Sequence, residues 1–101
     1  MGKTERITAL RIRPEDNVAT CITAQKAGQM AGYAAEGQTV TVRLLEDIPF
    51  GHKFALRPIA AGECIIKYGA PIGRATREIA EGEHVHIHNV GSLRCGGQEG
   101  T

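Results

Sequence analysis

Three of the chain's four histidines fall within five residues, His84-Val85-His86-Ile87-His88, with Asn89 directly after them. In an extended strand side chains alternate between faces, so the three imidazoles share one side while Val85 and Ile87 pack on the other. Imidazole titrates near neutrality and is the commonest metal ligand, so such a row suits a divalent metal or proton transfer. A row of half-exposed histidines without chemistry is the plain alternative. A histidine metal site draws further ligands from elsewhere in the fold, and the one other histidine is His52, next to a turn glycine. The pattern lacks the glutamate and later histidine of a cupin-type site. It also lacks the downstream histidines of a copper–zinc dismutase-type site. A metal on His84, His86 and His88 would therefore keep open positions or take ligands from another chain.

Smaller groups could assist. Gly51-His52-Lys53 offers a base and a cation at a turn, or a solvated loop with a surface lysine. Lys67-Tyr68-Gly69 reads as a polar strand end or as a buried tyrosine beside a surface lysine. Arg57, Arg74 and Arg77 could fork onto a carboxylate, or form surface ion pairs instead. Cys64 sits in an apolar run and reads as core rather than nucleophile. No Ser-His-Asp set, phosphate loop or carboxylate pair can be assembled from this sequence.

The elements that must position these residues are short strands between repeated turns. Ile48-Pro49-Phe50-Gly51, Ile59-Ala60-Ala61-Gly62 and Ile79-Ala80-Glu81-Gly82 all read Ile-x-x-Gly, and Ala34-Ala35-Glu36-Gly37 is a weaker copy. A glycine with positive φ closes each turn while the isoleucine plugs the core. The β-prone runs after them are Thr39–Leu44, His52–Leu56, Glu63–Tyr68 and Glu83–His88. Arg57–Glu63 matches Arg77–Glu83 at a spacing of 20 residues, which predicts pseudo-symmetric pairing inside one domain. Gly69–Gly73 reads as a tight turn, and Ile7–Ile12 as a first strand. Pro14-Glu15-Asp16 resembles a helix opening, which predicts a helix over about Glu15 to Gln25 burying Val18, Ala19, Ile22 and Cys21.

At 101 residues the chain makes a single domain, expected over residues 1–91 with a glycine-rich flexible tail over 92–101. With two Phe, two Tyr and no Trp, the core falls to Ile, Val, Leu and Ala, which suits β-structure. A net charge of +1 without a basic stripe argues against a nucleic-acid partner. No apolar run approaches the roughly 20 residues that span a bilayer, which argues against a membrane partner. The first residues lack the apolar stretch of a secretion signal. Cys21, Cys64 and Cys95, an odd number at unrelated spacings, point to reduced thiols and a cytoplasmic setting.

Five segments in order carry a resemblance: Asp16-Asn17-Val18-Ala19, Gly51–Leu56, Ile66-Lys67-Tyr68-Gly69, Pro71-Ile72-Gly73-Arg74-Ala75 and Gly82–Asn89. Across about residues 5 to 90 the chain resembles the SAF domain of the altronate/galactarate dehydratase family. The resemblance implies a mainly β fold, the β-clip, here with one or two short helices. It also implies a hydroxy-acid lyase. In such chemistry a proton leaves the carbon beside a carboxylate, and water, or sulfite in a sulfolactate sulfo-lyase, departs from its neighbour. The long family members continue into a much larger catalytic domain, whereas this sequence ends at Thr101, as in a separate small subunit. The partners implied are a larger catalytic lyase subunit, a hydroxy-acid substrate and a second copy of the chain in a homo-oligomer. The expected catalytic residues are His52, Lys53, His86 and His88. Lys67, Tyr68, Arg74 and Asn89 are expected to bind substrate. His84, His86 and His88 are expected to hold a divalent metal, iron, manganese or zinc. A non-catalytic SAF module for ligand binding or assembly is the alternative, and a stand-alone metal-binding protein is a third reading.

Overall fold

The computed structural model describes residues 6–92. In it the Ile-x-x-Gly loops come in mutually paired sets. Ile59 and Ile79 each donate N–H to the other's carbonyl, both at 2.8 Å. Around that pair the two loops match closely. Glu63 Oε1 accepts the N–H of Ala60 at 2.8 Å, and Glu83 Oε1 accepts that of Ala80 at 2.9 Å. Arg57 meets Glu63 at 2.8 Å, and Arg77 meets Glu83 at 2.9 Å. The predicted internal pairing is present, and Ile48, Ile59 and Ile79 are fully buried as plugs.

Ile48 has a partner too, and it is Gln25, with reciprocal bonds of 2.8 and 2.9 Å. Gln25-Lys26-Ala27-Gly28-Gln29 is therefore the fourth loop, with Gln29 Oε1 accepting the N–H of Lys26 at 2.6 Å. The expected copy at Ala34–Gly37 is instead a two-residue hairpin turn, with Glu36 and Gly37 both at positive φ. Its two central residues both adopt the left-handed backbone, as hairpin turns require. A glutamine replaced the plugging isoleucine at Gln25, which hid that loop from the pattern. It keeps a polar side chain in the core by donating to Thr8 O at 3.3 Å and Cys21 Sγ at 3.1 Å.

Among the described residues nine strands connect the loops: β1 (Ala9–Leu10), β2 (Val18–Cys21), β3 (Met30–Ala35), β4 (Gln38–Arg43), β5 (Lys53–Ala55), β6 (Cys64–Lys67), β7 (Ala70–Ala75), β8 (His84–Val85) and β9 (Val90–Gly91). A four-stranded antiparallel sheet in the order β1-β2-β5-β8 lies between the β3–β4 hairpin and the three-stranded sheet β6-β7-β9. Its alternating residues supply two cores. Ala19, Cys21 and Phe54 pack with Tyr33, Val42 and Leu44, while Val18, Ala55 and Val85 pack with Ile65 and Ala75.

The fold is mainly β, and no helix forms among the described residues. The helix expected over Glu15–Gln25 is replaced by β2. Consecutive burial of Val18 and Ala19, with Cys21, looked helical, but it arises because a central strand is covered on both faces. Ile22, assigned to the buried helix face, is exposed. Asp16 and Asn17 hold another segment rather than capping a helix. Asn17 Oδ1 accepts the Ile66 N–H at 2.8 Å and its amide donates to Cys64 O at 2.9 Å. The first strand shortens to Ala9–Leu10, leaving Ile7, Leu10 and Ile12 exposed. Cys21 is a buried free thiol, its pKa raised by burial despite the Gln25 contact. Cys64 is half-buried and disulfide-bonded, against the expectation that the thiols are reduced. The expected tail from 92 onward lies, apart from Ser92, outside the described residues.

Candidate functional site

The β5–β8 register pairs Lys53 with Val85 and Phe54 with His84. Extending it by one residue sets His52 opposite His86, and their rings stack with centroids 4.0 Å apart. The loop before β5 ends at Gly51, and His52 occupies the place that Gln29, Glu63 and Glu83 hold in the other three loops. There the side chain caps its own loop. Here the ring turns outward to the histidines, and His52 Nδ1 lies 2.9 Å from His84 Nε2.

His52, His84 and His86 each present a nitrogen within 4.8 Å of the other two. The expected trio was His84, His86 and His88 on one strand face, but β8 ends at Val85. Residues 86–89 form a turn in which the Asn89 N–H reaches His86 O at 3.1 Å. Asn89 clamps that turn. Its Oδ1 accepts the His86 N–H at 2.9 Å, its Nδ2 donates to His84 O at 2.8 Å, and the residue is completely buried. The turn ends the alternation, so Ile87, expected to pack inward, is 84% exposed. His88 is exposed and tilted 5.3 Å from His84 between ring centroids.

Burial and neighbouring charge favour the neutral form of His84 and His86. Burial, then the neighbouring His52, His88 and His86, push the His84 pKa down, with Glu46 opposing. The His86 pKa is lowered by desolvation, then by His52, Lys53 and His88. Glu46, which the sequence reading passed over, accepts the His84 N–H at 3.2 Å and so fixes the start of β8. One acid of the Glu46-Asp47 pair before a turn carried no signal of that role.

Lys53, half-buried on β5, lines a groove of about 230 Å³ with His86, Ile72, Ile87 and Val90. Burial lowers its pKa, and the charge of Lys67 lowers it further. Lys67 in turn stands 4.8 Å from the Tyr68 ring centre. Thus Lys53 feels the charge of Lys67, and Lys67 lies against the Tyr68 ring. Arg74 lies on β7 opposite Gly91 and does not line this groove. Larger hollows of about 530 and 490 Å³ are lined by no histidine or lysine, so size does not select the site.

A cluster of imidazoles in which two nitrogens lie 2.9 Å apart has two uses. Ligands about 2.0–2.1 Å from a shared metal stand roughly 3 Å from each other, a spacing that His52 and His84 meet, and imidazole donors suit a divalent ion of borderline softness. Alternatively one ring donates its N–H to the other, sharing a proton.

Residues 7–93 match the altronate/galactarate dehydratase SAF domain. The chain belongs to that family. It is 46% identical over 81 residues to the altronate dehydratase of Escherichia coli (strain K12), covering 80% of this chain and 16% of that protein. It is 44% identical over 71 residues to the (2R)-sulfolactate sulfo-lyase subunit alpha of Chromohalobacter salexigens, covering 68% of this chain and 76% of that subunit. The Bacillus subtilis (strain 168) altronate dehydratase is 38% identical over 82 residues, again covering 80% of this chain and 16% of the relative. This SAF chain therefore spans a small part of the dehydratases it matches and most of a sulfo-lyase subunit.

Proposed function

We propose that this SAF domain is the small component of a hydroxy-acid lyase, a dehydratase or sulfo-lyase, whose active site a larger catalytic subunit completes. The observation that carries the reading is the meeting of His52, His84 and His86 beside half-buried Lys53 on an open face. Small-molecule sites bury most of their ligand, and a shallow groove of about 230 Å³ cannot do so alone. The relatives support a lyase with a second chain, since one is called a subunit alpha.

In this reading the three imidazoles hold a divalent iron, manganese or zinc. Such an ion would supply Lewis acidity toward a substrate oxygen. In the metal-free use of the same rings, His86, kept neutral by its surroundings, accepts the proton that leaves the carbon beside the carboxylate. Lys53 and Lys67 hold the carboxylate itself. His88 lies exposed beside them.

The test is an assay of the purified chain, alone and with its catalytic partner subunit, against altronate, galactarate and (2R)-sulfolactate. The chain alone should give no turnover, and the pair should turn over one acid at about 1 per second or faster. His86→Ala should abolish that activity while leaving the small subunit folded. Turnover by the chain alone refutes the reading. Binding of an acid without turnover in the pair would favour a recognition module instead.

A further inference from the structure

The tip of the β6–β7 hairpin carries a residue that its backbone disfavours. Tyr68 and Gly69 both have positive φ, 57° and 74°, a two-residue turn whose first position suits Asn, Asp or Gly. A bulky side chain in that backbone is strained. The tyrosine gains little from the core in return, being 58% exposed. The strained turn is held from below by Asp16, which is 6% exposed. Asp16 Oδ2 accepts the Tyr68 N–H at 3.1 Å and Oδ1 the Gly69 N–H at 2.7 Å, while Oδ2 also takes Ile12 and Arg13.

What the strain maintains is the position of Tyr68 against Lys67, whose ammonium lies 4.8 Å from the ring centre. Lys67 acts on Lys53, and Lys53 shares its groove with His86. Among the described residues neither lysine forms an ion pair with a carboxylate. Two ammonium groups without a carboxylate partner, one beside an exposed tyrosine ring and one lining the groove, are suited to an anion from outside the fold.

We infer that Tyr68 is a ligand-contacting residue, kept at a cost in stability to hold Lys67, with Lys53, as a subsite for the carboxylate of a hydroxy acid. Asp16 is its positioning residue. The lyase reading underlies the choice of ligand.

Tyr68→Asn provides a test, because Asn suits this turn better and cannot form the aromatic face. The variant should raise the thermal midpoint by roughly 4–8 °C. In an NMR titration with galactarate, using sodium chloride at matched ionic strength as control, the wild-type chain should show saturable shifts at Lys53 and Lys67. Tyr68→Asn should weaken that binding at least about tenfold, while Tyr68→Phe stays within about twofold. A lowered midpoint in Tyr68→Asn would show that the ring is structural, and unchanged affinity would show that it touches no ligand; either overturns the inference. Galactarate shifts that merely follow ionic strength overturn it as well, whatever the lyase assay shows. Binding as expected with a catalytically silent pair removes the lyase reading and leaves the subsite standing.

Discussion

His52 Nδ1 and His84 Nε2 stand 2.9 Å apart although 32 residues separate them in the chain. The contact exists because β5 and β8 pair antiparallel and the loop ending at Gly51 delivers His52 to the end of that pair. It makes the histidine set one of two strands rather than one.

If these rings hold a metal, His52 matters and His88 does not. His52→Ala and His84→Ala should each lower the affinity for zinc or manganese by at least about a hundredfold, and His88→Ala by less than about threefold. Calorimetric titration of the chain with either metal measures this. An equal loss in His88→Ala and His52→Ala would contradict the arrangement.

The two aligned loop glycines should respond unequally to a methyl group. Gly62 and Gly82 have φ of 85° and 84°, so Ala is strained at both, by about 1–2 kcal/mol. A Cβ at Gly62 meets open space, whereas one at Gly82 runs into the carbonyl oxygen of Arg43. Gly82→Ala should therefore cost more than about 3 kcal/mol in urea denaturation and Gly62→Ala roughly half of that or less. Equal costs would mean that the loop around Arg43 yields freely.

Asn89 should behave as a structural clamp of the histidine turn. Asn89→Ala removes two part-buried hydrogen bonds of a buried side chain and leaves a cavity, a loss of about 2–4 kcal/mol. The His86 ring resonances should broaden or shift in the same variant. A domain of unchanged stability with unmoved His86 signals would show that the turn holds itself.

Acid should destabilise the metal-free domain in two stages. The folded-state pKa of His84 and His86 lies below the ordinary 6.5, so below about that pH the unfolded chain binds more protons and stability falls. Burial tends to raise the Asp16 pKa, but four backbone N–H donors outweigh it and bring it below 3.8. Its contribution is full above that value and disappears as pH falls through the folded pKa. Thermal midpoints measured from pH 8 to 3 should show both stages. Asp16→Asn should be less stable at neutral pH and lose the lower stage; if that stage persists, another carboxylate is responsible.

Much of this domain was written locally. The Ile-x-x-Gly loops and their positive-φ glycines follow from steric rules on four residues, and the twenty-residue repeat foretold the Ile59–Ile79 pairing. The concentration of histidines at 84–88 marked the right end of the molecule, and the five segments marked the family. Tertiary structure decided the rest. It made Val18–Cys21 a central strand because sheets cover both its faces, a burial pattern that resembles a helix when read alone. It ended β8 at Val85 because the Asn89 side chain binds backbone at both His84 and His86, which exposed Ile87 and left His88 outside the nitrogen cluster of His52, His84 and His86. It tied Asp16 to Tyr68 and Gly69 across more than fifty residues. Hydrogen bonds from a side chain to a distant backbone leave no periodic trace, so only the folded chain could show which histidines meet.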